Sequence, residues 1–393
     1  MSGIIGNIWG SVLSKKNQES TKKIRIGVDA RPLSTPVSGV GKLIESVLMG
    51  FDSDEEFEFI LFSHRELHEG YKHILEYPNI QMRLGTGLLA KKGGLYFGLA
   101  LPLQLRNSGI DLFWGTQQVF PPFLPGNIPG VLTYHDLVAY RFPDTMRPIA
   151  RLQQLFYLRR SILRADLVLA NSEFTAKELR KYYDYPSEKI RIVYPGYEPE
   201  EIRVVSKAPT QRTSAIPKRF FLTVSTLEPR KNFSTLFTAY SSLKKKNPKY
   251  PLIWVHAGKE GWESPEFLTE FKAASEKGDL VWVDSPDRSE LQYLYSKAEL
   301  FLFPSIYEGF GIPLLEALAY SIPCIVSDLE VFREIAGNSC IYVEPGSTRA
   351  WEENLLTFTH KKKAFRKPNL KKFERRLSAQ KTKEAFWDLM ESK

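Results

Sequence analysis

The sequence predicts an α/β protein made of two doubly wound, mostly parallel sheets in series, and three observations carry that prediction. Its 393 residues exceed what one hydrophobic core usually organises. Short apolar runs alternate with helix-length amphipathic stretches, the pattern of parallel strands joined by crossover helices. The alternation breaks once, from Glu198 to Lys218 ("EPEEIRVVSKAPTQRTSAIPK"), where Pro, Ser, Thr and charge replace periodicity, and then resumes. A cleft between two such domains is the default place for a ligand.

Residues 1–21 form a leader. "MSGIIGNIWGSVLSKK" has no basic residue ahead of its apolar stretch and no small-residue cleavage pattern, which argues against a secretory signal. Ile4, Ile5, Ile8, Trp9, Val12 and Leu13 recur at helical spacing before Lys15 and Lys16, so the leader suits an amphipathic helix on a membrane surface. A frayed or docked terminus is the alternative.

The first domain, 22–197, opens with the strand and loop "KKIRIGVDARPL" and the helix "VGKLIESVLMGF". Strand signals recur at "FEFILFS", "GIDLFWG", "PGVLTYHDL", "ADLVLANS" and "KIRIVYPG". Residues 198–217 are the linker. The second domain, 218–372, repeats the alternation through "RFFLTVSTL", "PLIWVHAG", "LVWVDS", "AELFLFPS", "PCIVSD" and "SCIYVEPG", with helices from about Ser234, Ser289 and Pro313 among the connections. In the final segment, 373–393, Phe373, Leu377, Phe386 and Leu389 follow a roughly helical period, so a terminal helix is expected to cross back over both domains.

Hydrophobic residues at 43% and charged residues at 25% describe an ordinary globular chain. The net charge of +9 is concentrated at the end, where twelve Lys or Arg face four acids between Lys361 and Lys393. Such a tail suits an anionic membrane surface or a solvated helix face; with no nucleic-acid module beside it, nucleic acid is not an expected partner. Two cysteines, Cys324 and Cys340, allow at most one bridge, which favours a reducing compartment. The longest apolar run, "LYFGLALPL", is too short to span a bilayer, so the chain is expected in the cytoplasm, peripheral to the inner face of the plasma membrane at most.

The chemistry concentrates in the second domain. "AELFLFPS" reads as a buried strand, so the loop "IYEGFG" leaves its carboxyl end, where α/β sheets hold ligands. Gly309 and Gly311 permit close backbone approach, and Pro313 suits the first turn of the next helix. The amides near Gly311 to Leu314, Phe310 and Ile312 lying in the same turn, form a seat for a phosphate. Glu308 stands ahead of those amides, in reach of the sugar side of a diphosphate. Glu316 stands inside the helix, placed for two ribose hydroxyls or, alternatively, simply favoured near a helix N-terminus. "TLEPRKNFSTL" leaves another strand end and offers Arg230 and Lys231 to a departing diphosphate; a solvated basic turn is the alternative. In the first domain Gly39 and Gly41 of "PVSGVGKL" bring backbone toward the cleft, and His135 ends the strand in "LTYHDLVAY".

Together "EGFGIPLLEA", "TLEPRKN", the "HD" pair, "ANSEFTAKEL" and "GVGK" resemble the retaining glycosyltransferases of the GT-B fold, and among them glycosyltransferase family 4 with its bacterial polysaccharide mannosyltransferases. The resemblance runs from Ile24 to Phe386. It implies transfer of a sugar from a nucleotide diphosphate sugar, guanosine diphosphate mannose first, with retained configuration and no required metal or other cofactor. The implied acceptor is a saccharide or lipid-linked saccharide in surface polysaccharide assembly such as that of lipopolysaccharide. It also implies that Glu308 and His135 act at the transferred sugar, Glu316 at the ribose and Lys231 at the phosphates. Thr226 stands where many members have arginine, leaving Arg230 to supply that charge, and Lys42 and Leu43 replace a frequent Arg and Tyr. The apolar surfaces of "KKGGLYFGLALPLQL" and "WGTQQVFPPF" suit a lipid-linked acceptor, with core packing as the alternative for the former.

Two further patterns are expected to be structural. The triplet Asp52 to Asp54 lies between a helix and a strand, away from the cleft, and reads as an acidic surface turn. His64 and His68 have zinc-pair spacing without a third ligand and read as a solvated helix. A sugar-nucleotide epimerase, a phosphorylase or a non-catalytic sugar- or lipid-binding scaffold on the same fold are the rival functions.

Overall fold

The computed structural model describes residues 23–392 except 53, 143–147, 200, 201, 203, 204, 206, 207 and 361–364. The expected leader helix lies outside the described residues. The chain forms two parallel sheets. The first contains β1 (Ile24–Asp29), β2 (Phe57–Ser63), β3 (Ile80–Leu84), β4 (Leu112–Gly115), β5 (Gly130–Tyr134), β6 (Leu167–Ala170) and β7 (Ile190–Ile192), in the order β3-β2-β1-β4-β5-β6-β7. The second contains β8 (Phe220–Val224), β9 (Ile253–Ala257), β10 (Leu280–Val283), β11 (Leu300–Phe303), β12 (Cys324–Ser327) and β13 (Ile341–Val343), in the order β10-β9-β8-β11-β12-β13. Strands such as "LFLF" and "GVLTY" are buried throughout because helices cover both faces of a parallel sheet, which explains their unbroken apolar character.

In each sheet the strand order reverses direction at the centre, between β1 and β4 and between β8 and β11, and loops diverge there to leave a crevice at the carboxyl ends. "GVGK" follows β1, "TLEPRKN" follows β8 and "IYEGFG" follows β11. Topology therefore gathers three motifs that lie far apart in sequence.

The helix Arg375–Glu391 returns to the first domain: Ala379, Ala385, Phe386 and Leu389 join its core, while Phe373, just ahead, belongs to the core of the second. Strand β3, the one the sequence pattern did not signal, is an edge strand, and its residues after Ile80 are at least partly exposed. The end of the linker carries a helix that its composition did not signal. Thr210 caps a short helix, Gln211–Ser214, and Arg212 docks it onto Glu290 and the Asp284 carbonyl of the second domain.

His64 and His68 do not form the solvated helix expected of them. They sit in a bend before the 3-10 helix Glu69–Glu76; His68 Nδ1 accepts from the Gly70 amide at 3.2 Å, and His64 packs against Tyr96. Asp54 is more than a surface acid: it accepts from Lys383 Nζ at 2.8 Å and so ties down the terminal helix. Among the described residues no helix is long and apolar enough to cross a membrane. The stretch from Leu95 splits by face, with Tyr96, Leu101 and Leu105 buried and Leu95, Leu99 and Leu103 exposed at 43%, 45% and 57%.

Candidate active site

Glu308 lies at the centre of the site. Its carboxylate is nearly buried, yet it is ionised: burial pushes the pKa up, but Arg230 and Lys231 outweigh burial and hold it at about 2. Arg230 Nη1 donates to Oε2 at 2.7 Å, Lys231 Nζ to Oε1 at 2.6 Å, and the buried Ser305 hydroxyl to Oε1 at 2.8 Å. Arg230 also donates to Glu228 Oε1 at 2.6 Å and to the Tyr307 carbonyl at 2.9 Å. Two cations and two carboxylates thus share one buried cluster. The sequence separated the cations at the phosphates from the acid at the sugar; the structure joins them, because a carboxylate out of water needs opposite charge against it. Glu228 and Ser305 were not singled out from sequence, and only their spacing from Lys231 and Glu308 in the same loops hinted at them.

Beyond Glu308 the chain enters the helix Ile312–Ala319 through Gly311, whose φ of 132° is a conformation that L side chains rarely adopt. The phosphate seat is displaced toward the loop from the Gly311 to Leu314 stretch expected. Pro313 has no N–H, and the Leu314 amide donates to the Gly311 carbonyl at 3.0 Å. Among the described residues the amides of Gly309, Phe310, Gly311 and Ile312 have no protein acceptor. The Phe310 side chain faces inward, against Tyr194 and Phe373, so only its backbone borders the cleft. Glu316 lies in the second turn of this helix, where Tyr295 Oη donates to its Oε2 at 2.8 Å and Lys42 of the first domain pairs with its Oε1.

Contacts across the cleft are close. A Cβ on Gly309 would stand 1.7 Å from the His135 carbonyl oxygen, so only glycine permits this approach. The Gly309 carbonyl accepts from Ser172 Oγ at 2.6 Å and Thr175 Oγ1 at 3.1 Å, and the Leu137 amide donates to Tyr307 Oη at 2.9 Å. Ser172 and Thr175 are the "S" and "T" of "ANSEFTAKEL", which therefore clasps the second domain. Gly39 faces Ile312, with 3.4 Å from its ideal Cβ to Ile312 Cδ1. Gly41 does not line the cleft as expected. Its amide donates to Ser38 Oγ at 3.2 Å, and its lack of a side chain makes room for Tyr71.

His135 Nε2 lies 2.7 Å from the Thr116 carbonyl, and since a carbonyl only accepts, Nε2 carries the proton. Burial lowers the pKa of this ring below 6.5, against the pull of that carbonyl and of Asp136. The neutral ring keeps Nδ1 as an acceptor without a protein partner among the described residues, suited to a sugar hydroxyl. Within the described residues no group of three or more His, Cys, Asp or Glu side chains is placed to hold a metal ion.

This geometry has relatives. Residues 207–376 match the family described as Glycosyl transferases group 1, and residues 37–201 match Glycosyltransferase Family 4. The chain is 28% identical over 243 residues to O-antigen chain mannosyltransferase B of Escherichia coli, covering 60% of this chain and 62% of that protein. It is 32% identical over 225 residues to O-antigen chain mannosyltransferase RfbU of Salmonella typhimurium, covering 56% and 58%. The matched stretches thus span about three fifths of these relatives' length. Among solved structures, HepE of Anabaena in complex with UDP and glucose superposes with a TM-score of 0.63 at 14% identity, covering 94% of this chain and 98% of that one. WaaG, a glycosyltransferase involved in lipopolysaccharide biosynthesis, gives 0.62 at 15%, covering 94% and 98%. At such identities these two speak for the GT-B fold.

Proposed function

We propose, for a chain that belongs to the glycosyltransferases of group 1 and family 4, that it moves a hexose, mannose first, from a nucleotide diphosphate sugar to a saccharide or lipid-linked saccharide acceptor, with retention and without a metal. The observation that carries this reading is the buried Glu308, ionised between Arg230 and Lys231 in the loop whose next residue, Gly309, meets the His135 carbonyl. The curated relatives' names favour mannose and an O-antigen chain. Donor diphosphate enters where the free amides of Gly309 to Ile312 meet the two cations, and ribose takes the place of Lys42 on Glu316. The C1–O bond to phosphate breaks as the acceptor hydroxyl bonds to C1 from the same face, and the hydroxyl proton passes to the leaving phosphate oxygen. Glu308 steadies the positive charge that develops at C1, and His135 Nδ1 accepts from a hydroxyl of the transferred sugar. A lipid-linked acceptor at a cytoplasmic membrane face is supported by exposed Leu95, Leu99 and Leu103 close in sequence to Lys91 and Lys92.

The test is turnover with guanosine diphosphate mannose and mannoside acceptors, with the product anomer read by NMR and EDTA added in parallel. Glu308→Gln should lower kcat by roughly a hundredfold or more while nucleoside diphosphate still raises Tm. Full turnover in that variant, or an inverted product, overturns the mechanism. Release of an altered free sugar without an acceptor would point to the epimerase instead.

A further inference from the structure

The carboxyl rim of the first sheet carries a second constructed feature beside His135. The Thr116 carbonyl that holds His135 belongs to the loop leaving β4, and the Thr116 hydroxyl donates to the Asp29 carbonyl, at the end of β1, at 2.6 Å. Strands β1 and β5 flank β4, so Asp29 stands two strand positions, roughly 10 Å, from His135. Asp29 is fully buried and takes Arg31 in a bidentate pair, Nε to Oδ1 at 2.8 Å and Nη2 to Oδ2 at 2.7 Å. The same guanidinium lies over Phe97, with 3.5 Å from Cζ to the ring centroid. Phe97 sits in a π-helical turn, Tyr96–Ala100, just ahead of Pro102, which has no N–H to continue the ladder. Next to Thr116 on the same rim, Gln118 holds a left-handed backbone, φ 63°.

A carboxylate fixes the plane of this guanidinium and an aromatic ring fixes its tilt. Two of its five N–H groups go to the Asp29 side chain, and the other three have no acceptor among the described residues. The Arg31 side chain is 16% exposed, enough for a ligand to reach it. Because Asp29 neutralises the charge, the site offers a rigid plane of donors with little net attraction for an anion, which suits neutral paired hydroxyls better than phosphate. We propose that Arg31, set by Asp29 and Phe97, binds vicinal hydroxyls of the acceptor saccharide and orients it toward the transferred sugar. This rests on the reading that the donor sugar lies between Glu308 and His135: Gly39 and Lys42, further along the same connection from β1, face the donor side at Ile312 and Glu316, and Arg31, stacked on Phe97 of the first domain, is left to meet the acceptor. Arg31 is a binding residue in this account, and Phe97 and Asp29 position it.

The test is saturation-transfer NMR of α-1,2- and α-1,3-linked mannobiose with the full chain, with GDP or UDP present. Wild type is compared with Arg31→Lys, which keeps the ion pair with Asp29 but loses the fork, and with Phe97→Leu. Wild type should bind a disaccharide; Arg31→Lys should weaken it tenfold or more and Phe97→Leu severalfold, with the nucleotide-induced Tm shift unchanged. The proposal is overturned if wild type binds neither disaccharide, if Arg31→Lys binds as wild type does, if nucleotide binding is lost together with it, or if inorganic pyrophosphate displaces the disaccharide. Absence of mannosyl transfer by a wild-type chain that binds the disaccharide through Arg31 would refute the transferase reading and leave this one standing.

Discussion

At the scale of single residues, the decisive fact is where charge is held. Glu316 is occupied by Lys42 and Tyr295, side chains with which ribose hydroxyls would compete under the proposed donor placement. The pair is partly solvated, at 28% and 20% exposure, so its worth is about 1 kcal/mol at most. Lys42→Ala should therefore tighten nucleoside diphosphate binding by up to roughly fivefold, read by calorimetry; weaker binding would instead make Lys42 a phosphate ligand. Histidines set the response to acid. His256, in the core, has Nδ1 2.8 Å from the Thr223 hydroxyl that also receives Trp254 Nε1, and burial drops its pKa to about 3. A depressed histidine stays neutral in the folded chain but takes up a second ring proton in the unfolded one below about 6.5, so stability falls as pH drops from there toward 3. The slope is about 1.4 kcal/mol per pH unit for each such histidine, and His135 adds in the same direction. Glu308 contributes only lower, its stabilisation being lost between 4.5 and about 2. Denaturant titrations at pH 7, 6 and 5 should show the early loss, and His256→Gln should flatten it.

At the scale of elements, close approach matters more than helix propensity. The turn through Gly309 meets the His135 carbonyl so tightly that a methyl group has no room. Gly309→Ala should push the two loops apart, costing about 1–3 kcal/mol and lowering kcat/KM more than tenfold, because His135 and Glu308 would no longer face one sugar. An unchanged kcat/KM would show that the loops separate during turnover. The elements themselves were largely legible: unbroken apolar runs marked the parallel strands, and Pro313 after a glycine marked a helix start that falls within one residue of its place. Edge strand β3 escaped because "IQMRL" buries chiefly its first residue and so carries little pattern. The bend at His64 and His68 escaped because a four-residue spacing says nothing about whether backbone between is helical.

At the scale of the whole molecule, the terminal helix fastens the second domain's end to the first domain's core. Phe386 is fully buried there, against Phe57 and Trp114, and Lys383 reaches Asp54. Phe386→Ala should cost about 3–5 kcal/mol and lower the first unfolding transition seen by calorimetry. Loss confined to the second domain would contradict this packing. Two alternating halves and the strand-end loops that carry Glu308, Lys231 and His135 were legible in sequence alone, because period, glycine placement and strand-to-loop order are local properties of the chain; the roles of those three residues were implied only by the family resemblance. Tertiary structure alone decided that Glu308 is clamped by both cations, that Lys42 occupies Glu316, that Gly41 serves Tyr71 and that Arg31 is locked between Asp29 and Phe97. Those pairings join residues up to 274 positions apart; they depend on how two sheets meet and on burial making opposite charges seek each other, which no local pattern encodes.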